Sequence, residues 1–81
     1  MANGIWIRKV GESNAHFIET NDSYSVEAQK GQALTQYSIS NLGKVTEDIL
    51  ELSFDEKHFE EIPTEDIRGL LTKYLEESKS K

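Results

Sequence analysis

The sequence predicts an α+β fold: a small antiparallel β-meander of four to six strands, followed by a C-terminal amphipathic helix packed on one face of the sheet. Three observations support it. Turn-forming residues recur about every ten positions in the first half. The runs between them alternate apolar and polar residues, whereas the last segment has apolar residues at helical spacing. Because 81 residues suffice for one compact unit only, we expect a single domain over residues 1–81, with all strands within residues 4–62.

The first half of the chain predicts four strands. They cover residues 5–10, 15–20, 24–30 and 33–40. Glycine, asparagine, aspartate and serine lie between these runs, where they favour turns. In the third run, Tyr24, Val26 and Ala28 alternate with polar residues, and the fourth run repeats this pattern, so each predicts a half-buried strand. The first two runs, around Trp6 and Phe17, are apolar on both faces in part and are predicted to be central strands.

The next segment permits two interpretations. Residues 48–54 predict a strand because their apolar residues alternate with polar ones. Residues 55–57 would then turn the chain into a weaker strand over residues 58–62. Alternatively, Ser53 and Glu56 have the spacing of a capping box, which would begin a short helix ended by the proline that follows. The unbroken alternation favours the hairpin.

The C-terminal segment predicts a helix over residues 65–78. Thr64 is a suitable N-cap, and acidic residues follow it where the helix dipole favours them. The apolar residues form one stripe: Ile67, Leu70, Leu71, Tyr74 and Leu75. Gly69 lies beside this stripe and is expected to allow a close approach of the helix to its neighbour. Residues 79–81 are expected to fray.

The composition excludes several classes of protein. The chain has 9 Lys and Arg against 15 Asp and Glu, a net charge of −6, and no cysteine. A disulfide scaffold, a thiolate zinc site and a cysteine nucleophile are therefore excluded. No apolar run has the roughly 18–20 residues that span a bilayer, and the first residues do not resemble a signal peptide. We therefore expect a cytoplasmic protein without membrane contact.

The negative charge is concentrated in one block. Residues 1–44 have no net charge, so residues 45–81 carry the whole excess. Nine acidic residues lie between positions 47 and 66 with a single base: Glu47, Asp48, Glu51, Asp55, Glu56, Glu60, Glu61, Glu65 and Asp66. Such a block can serve solubility, attract a basic protein surface, or imitate the charge spacing of nucleic acid. We predict an acidic, non-catalytic protein-binding module, a regulator or inhibitor, whose partner has a basic surface, for example a nucleic-acid-binding protein.

Catalysis and metal binding are not expected. The chain contains none of the common nucleophile, phosphate-loop, dinucleotide or zinc-protease motifs. Asp55, His58 and Glu61 are three residues apart and would converge if helical, but a solvated histidine on an acidic surface explains them better. We therefore predict no metal and no cofactor. An enzyme subunit using His16 or His58 for acid–base chemistry is the least favoured hypothesis.

The aromatic residues suggest an alternative function. A face of the sheet could stack the bases of a single-stranded nucleic acid or bind a small ligand through five residues: Trp6, Arg8, Phe17, Tyr24 and Tyr37. The acidic balance disfavours direct nucleic-acid binding, and these aromatics also suit the core. Because a chain this short has a thin core, self-association is a second way to complete it.

Overall fold

The computed structural model describes residues 4–40 and 49–79. Six elements follow one another in the order of two ββα units: β1 (Gly4–Lys9), β2 (His16–Glu19), α1 (Val26–Ser40), β3 (Leu50–Ser53), β4 (Glu60–Ile62) and α2 (Thr64–Lys79). The predicted α+β class is confirmed. The sheet has four strands, the low end of the predicted range.

The sheet is antiparallel throughout, in the order β2-β1-β3-β4. The β1–β3 pair therefore joins the two units at the centre of the sheet. In this register Trp6 lies opposite Phe17 on β2 and Ser53 on β3, whereas Ile7 lies opposite Leu52. Because opposed residues share a face, the sheet has one face with Trp6 and another with Ile7.

The core lies on the Ile7 face, between the sheet and both helices. The sheet contributes five buried aliphatic side chains: Ile5, Ile7, Leu50, Leu52 and Ile62. Helix α1 adds Ala33, Leu34 and Tyr37, and α2 adds Ile67. Both helices therefore cover the same face of the sheet. Within the described residues, no helix covers the opposite face of the sheet. We call that other face, which carries Trp6, the free face.

Two of the predicted strands are wrong. Residues 24–30 and 33–40 form no strand, because residues 26–40 make up α1. Ser25 precedes the helix as its N-cap, and its Oγ accepts a hydrogen bond from the Ala28 N–H at 3.2 Å. That hydroxyl in turn donates to Glu77 of α2 at 2.5 Å. The cap is therefore completed by a residue that is remote in sequence.

A glycine contact explains how the two helices pack. Gly31 lies between two runs that the sequence predicts as strands, where a turn is expected, yet it is buried inside α1 against the carbonyl of Leu70 on α2. A Cβ at position 31 would overlap that carbonyl oxygen and come within 2.8 Å of the Tyr74 Cβ. The backbones of the two helices therefore meet at Gly31. The predicted close approach at Gly69 is wrong, since a Cβ there would meet nothing within 4 Å.

The other elements follow the prediction more closely. Helix α2 extends one residue beyond the predicted bounds at each end, so Lys79 is helical rather than frayed, while residues 80 and 81 lie outside the described residues. Its Ile67 is buried, and Leu70 and Leu71 pack against the core. Leu75, predicted to belong to the buried stripe, is 54% exposed.

The interpretation of residues 48–62 as a β-hairpin is confirmed. Strands β3 and β4 pair over Leu50 to Leu52 and Glu60 to Ile62, with a turn between them, so the alternative capping-box helix is wrong. Position 48, where the predicted strand began, lies outside the described residues. The predicted strands around Trp6 and Phe17 are also confirmed, but only β1 is central, and β2 forms an edge of the sheet.

Candidate functional site

The structure separates the nine residues of the acidic block into four groups. Glu47 and Asp48 lie outside the described residues. Glu51 is neutralised within the sheet, because its Oε1 lies 2.7 Å from the Nε of Arg8, its cross-strand partner. The Arg8 guanidinium also lies 3.8 Å from the ring centroid of Phe59. Glu51 is thus committed to an internal ion pair.

Asp55 is used within its own turn. Its Oδ1 accepts hydrogen bonds from the Ser53 hydroxyl at 2.7 Å and from the N–H groups of Lys57 and His58 at 2.9 and 2.8 Å. Its Oδ2 lies 2.7 Å from Nδ1 of His58. Glu56, exposed at the tip, has a left-handed backbone with φ of 69°. Asp55 therefore shapes the hairpin turn.

The same contacts shift two pKa values. Hydrogen bonds to Asp55, foremost the one from the His58 backbone N–H and then the one from its ring, hold the pKa of that carboxyl far below its ordinary value. The hydrogen bond that the His58 ring donates to Asp55, together with the negative charge of Asp55, raises the pKa of His58 above 6.5. The two residues form a charge pair at the surface, with His58 the more exposed of the two. Within the described residues, no cluster of three or more acidic or histidine side chains could hold a metal ion.

The four remaining acids line one open groove. Glu60 and Glu61 come from β4, and Glu65 and Asp66 from the first turn of α2. They are brought together because only Pro63 separates the strand from the helix. The groove has a volume of ≈ 760 Å³ and is completed on its other side by Glu27, in the first turn of α1. We call this site the acidic groove.

The acidic groove combines a negative rim with apolar surface. Ile62, Pro63 and Leu70 line it, and Gly69 contributes no side chain. Two bases also line it, Lys30 and Lys73, so the lining residues, five of them acidic, have a net charge of −3. Within residues 4–40 and 49–79, none of the five carboxylates forms an ion pair.

Part of this acidity also stabilises the fold. Glu65 and Asp66 occupy the first turn of α2, where the helix dipole favours negative charge. The Asp66 N–H donates to the Pro63 carbonyl at 2.9 Å, which closes that turn. Glu60 and Glu61 have no comparable role among the described contacts. The local pattern identified four residues of the groove, but Glu27, Lys30 and Lys73 were missed, because Glu27 and Lys30 join the site only if residues 26–40 are helical.

The residues predicted to form a stacking face do not all lie together. Trp6 and Phe17 are in contact on the free face, with ring centroids 4.9 Å apart and an interplanar angle of 53°. Arg8 shares that face, since it lies two residues from Trp6 on β1. Tyr37, however, is only 1% exposed within the core, and Tyr24 precedes α1 and packs against Tyr74. Three of the five predicted residues therefore share one surface.

The free face offers little to an anionic ligand. Its one guanidinium, that of Arg8, is paired with Glu51. Glu61, which also borders the acidic groove from the edge strand, lies opposite Glu51, and Glu19 lies opposite Gly4, so the register places both glutamates on this face. Phe59, which sequence reasoning missed, is two residues before Glu61, and that spacing along a strand was the available signal. The face is thus aromatic with a negative balance.

Comparisons with protein-family models, with curated proteins and with solved structures find no match to this chain. Within the described residues, neither helix has the length and apolar character needed to cross a membrane.

Proposed function

We propose that this protein is a non-catalytic binding module that captures a basic segment of a partner protein in the acidic groove. One observation carries the proposal: acidic residues of β4, of the first turn of α2 and of α1 (Glu27) line a single groove and form no ion pair within the described part of the chain. Unpaired carboxylates held near one another repel, and a cation between them removes that repulsion.

The shape and lining of the groove suit lysine and arginine side chains. These residues bury their aliphatic stems on apolar surface while their charged ends stay in a polar environment. Ile62, Pro63 and Leu70 supply apolar surface, and the acidic rim surrounds it. Negative charge concentrated on one side of the chain also accelerates encounter with a positive partner. A partner held in this way has its basic surface covered, which would make the module a regulator or inhibitor of whatever else binds there.

The test compares two variants of equal charge. In the groove variant, Glu60, Glu61 and Glu65 are all replaced by Gln. In the control, Glu19, Glu56 and Glu76, which lie outside the groove, are replaced by Gln. With an oligolysine peptide as the probe in isothermal titration, we expect the groove variant to bind about tenfold more weakly or worse, with a flatter dependence on salt.

We expect the control variant to bind the peptide within about twofold of the original protein. Its changed charges lie outside the groove and act on the peptide only through screened, long-range interactions. Circular dichroism of both variants verifies that they fold. If both variants lose affinity equally, net charge alone governs binding and the groove has no specific role.

The alternative function, stacking of single-stranded bases or a flat ligand, has only the Trp6 and Phe17 pair in its support. Because Arg8 is engaged by Glu51 and acidic residues share the face, we expect oligonucleotide to leave Trp6 fluorescence unchanged. Trp6 is the only tryptophan of the chain, so its fluorescence reports on this face directly. Saturable quenching by oligonucleotide would support the alternative instead.

A further inference from the structure

Among residues 4–40 and 49–79, nothing pairs with the outer side of strand β2. It is an edge strand that pairs with β1 alone. Within the described residues, the backbone groups of His16 to Glu19 make no other hydrogen bond. Unpaired edges bind further strands readily, and natural proteins usually protect them with prolines, lysines, bulges or very short strands.

The two edges of this sheet differ in such protection. Strand β4 has only three residues, two of them glutamates, and Pro63 follows directly. Strand β2, one residue longer, contains one glutamate and neither proline nor lysine, and its Phe17 is 42% exposed. The β2 edge is therefore the edge that can accept another strand.

A second apolar side chain is exposed on the same side of the molecule. Gln32 of α1 faces the end of β2, because its Oε1 accepts a hydrogen bond from the Asn21 N–H at 2.9 Å. Ile39 follows Gln32 by seven residues, about two helical turns, and so lies on the same side of α1. Ile39 is 70% exposed. The β2 side thus presents Phe17 and Ile39 together with a free strand edge.

The distribution of charge favours a second copy of this chain as the occupant. The acidic groove lies at β4, the opposite edge of the sheet. Three strand spacings, about 14 Å, separate that edge from β2. Two chains of net charge −6 repel each other least when these acidic edges point away from one another. Contact through β2 produces that arrangement.

We propose that β2 pairs antiparallel with β2 of a second copy, across a two-fold axis at Phe17. In an antiparallel pair, directly opposed residues share a face, so a two-fold axis perpendicular to the sheet must lie midway between the two copies of one residue. An axis at Phe17 places His16 opposite the second copy's Ile18. An axis at Ile18 would instead place Phe17 opposite Glu19. The first register brings apolar residues together.

This pairing forms one continuous eight-stranded sheet with all four helices on the same face. On the free face, Trp6 and Phe17 of one copy continue into Phe17 and Trp6 of the other, a row of four rings. The dimer is independent of the acidic groove, which stays open at both ends of the assembly.

The first test is the mass of the unmodified protein, measured by sedimentation from micromolar to millimolar concentration. We expect the mass to rise from one chain to two. Phe17→Lys should remain a single chain over the whole range, because a lysine at the axis would face a copy of itself. Leu75→Lys, a matched change at an exposed leucine of α2, should dimerise as the original protein does.

Circular dichroism verifies that both lysine variants fold. A single chain at all concentrations for the unmodified protein would overturn the proposal, as would loss of the dimer in Leu75→Lys but not in Phe17→Lys. If the unmodified chain stays single while Phe17→Lys abolishes capture of another protein, the edge serves a different partner and the dimer is rejected.

The second test determines the register and uses the absence of cysteine from the chain. In the proposed pairing, the Cβ atoms of position 17 in the two copies are about 4.5–5.5 Å apart, within reach of a disulfide after small adjustment. Those of position 19 are about 14 Å apart, because they are offset by four residues along the strands and by one strand spacing across them, and this is too far. Phe17→Cys should therefore form a cross-linked dimer under mild oxidation and Glu19→Cys should not. Cross-linking at position 19 and not at 17 would overturn the proposed axis.

Discussion

At Asp55 a single carboxylate accepts hydrogen bonds from the Ser53 hydroxyl, from two backbone N–H groups and from the His58 ring. The spacing of Asp55 and His58 suggested a metal site only if the segment were helical. In the observed turn the two side chains satisfy each other instead. The backbone conformation decides whether a neighbouring acid and histidine bind a metal or pair with each other. Here the alternation of residues 50–54 correctly indicated a strand and a turn instead of a helix.

The turn should respond to pH at both ends of a defined range. Because the pKa of Asp55 is lowered, its contribution to stability is present above pH 3.8, its ordinary value, and is lost as the pH falls through its lower value in the folded protein. Because the pKa of His58 is raised, its contribution is complete below pH 6.5 and is lost as the pH rises through its folded value. Between these limits both contributions are present.

We expect an NMR titration to show His58 with a pKa above 6.5 in the original protein and near 6.5 in Asp55→Asn. The asparagine keeps the size of the side chain and removes the negative charge, so it isolates the ion pair. The same His58 midpoint in both proteins would show that the pair does not persist in solution.

At the scale of elements, the two helices show why one could be predicted and the other could not. Helix α2 carries large aliphatic residues at helical spacing, and these alone indicate its buried side. Three of the inward residues of α1 are small, namely Ala28, Gly31 and Ala33. Small residues give a weak hydrophobic pattern, and the alternation of the larger residues imitates a strand. Close packing against α2, which the local sequence does not reveal, determines the helix.

The glycines of the two helices provide a matched test of that packing. In Gly31→Ala the new methyl group overlaps the Leu70 carbonyl, and neither backbone can move freely. Overpacking of this kind costs about 1–3 kcal/mol, which should exceed the gain of up to about 1 kcal/mol in helix propensity. We expect urea denaturation to show a lower free energy of unfolding.

Gly69→Ala is the control, because it makes the same chemical change in the other helix at a position with open space around it. We expect it to raise the free energy of unfolding by about 0.5–1 kcal/mol, since alanine favours the helix and restricts the unfolded chain. If both variants are stabilised, the two helices are farther apart than the structure places them.

At the scale of the whole molecule, charge is arranged by the order of the strands. The neutral first unit supplies β2 and the acidic second unit supplies β4, and the sheet places these strands at opposite edges. The composition of the two halves could be read from the sequence. Four acidic residues of the second half share a groove with Glu27 of the first half only because α1 and α2 lie side by side. The sequence therefore predicted only the part of the site that is local in sequence, the four acidic residues of β4 and α2.

The central pair β1–β3 has a consequence for how the chain can be divided. Each ββα unit supplies one hairpin and one helix, and the core is shared, with Ile7 and Leu34 from the first unit and Leu52 and Ile67 from the second. Neither unit alone encloses a hydrophobic interior. A backbone cut between the units would produce two fragments, and each would need the other to complete its hydrophobic core. Such fragments should reassemble on mixing, as a split reporter does.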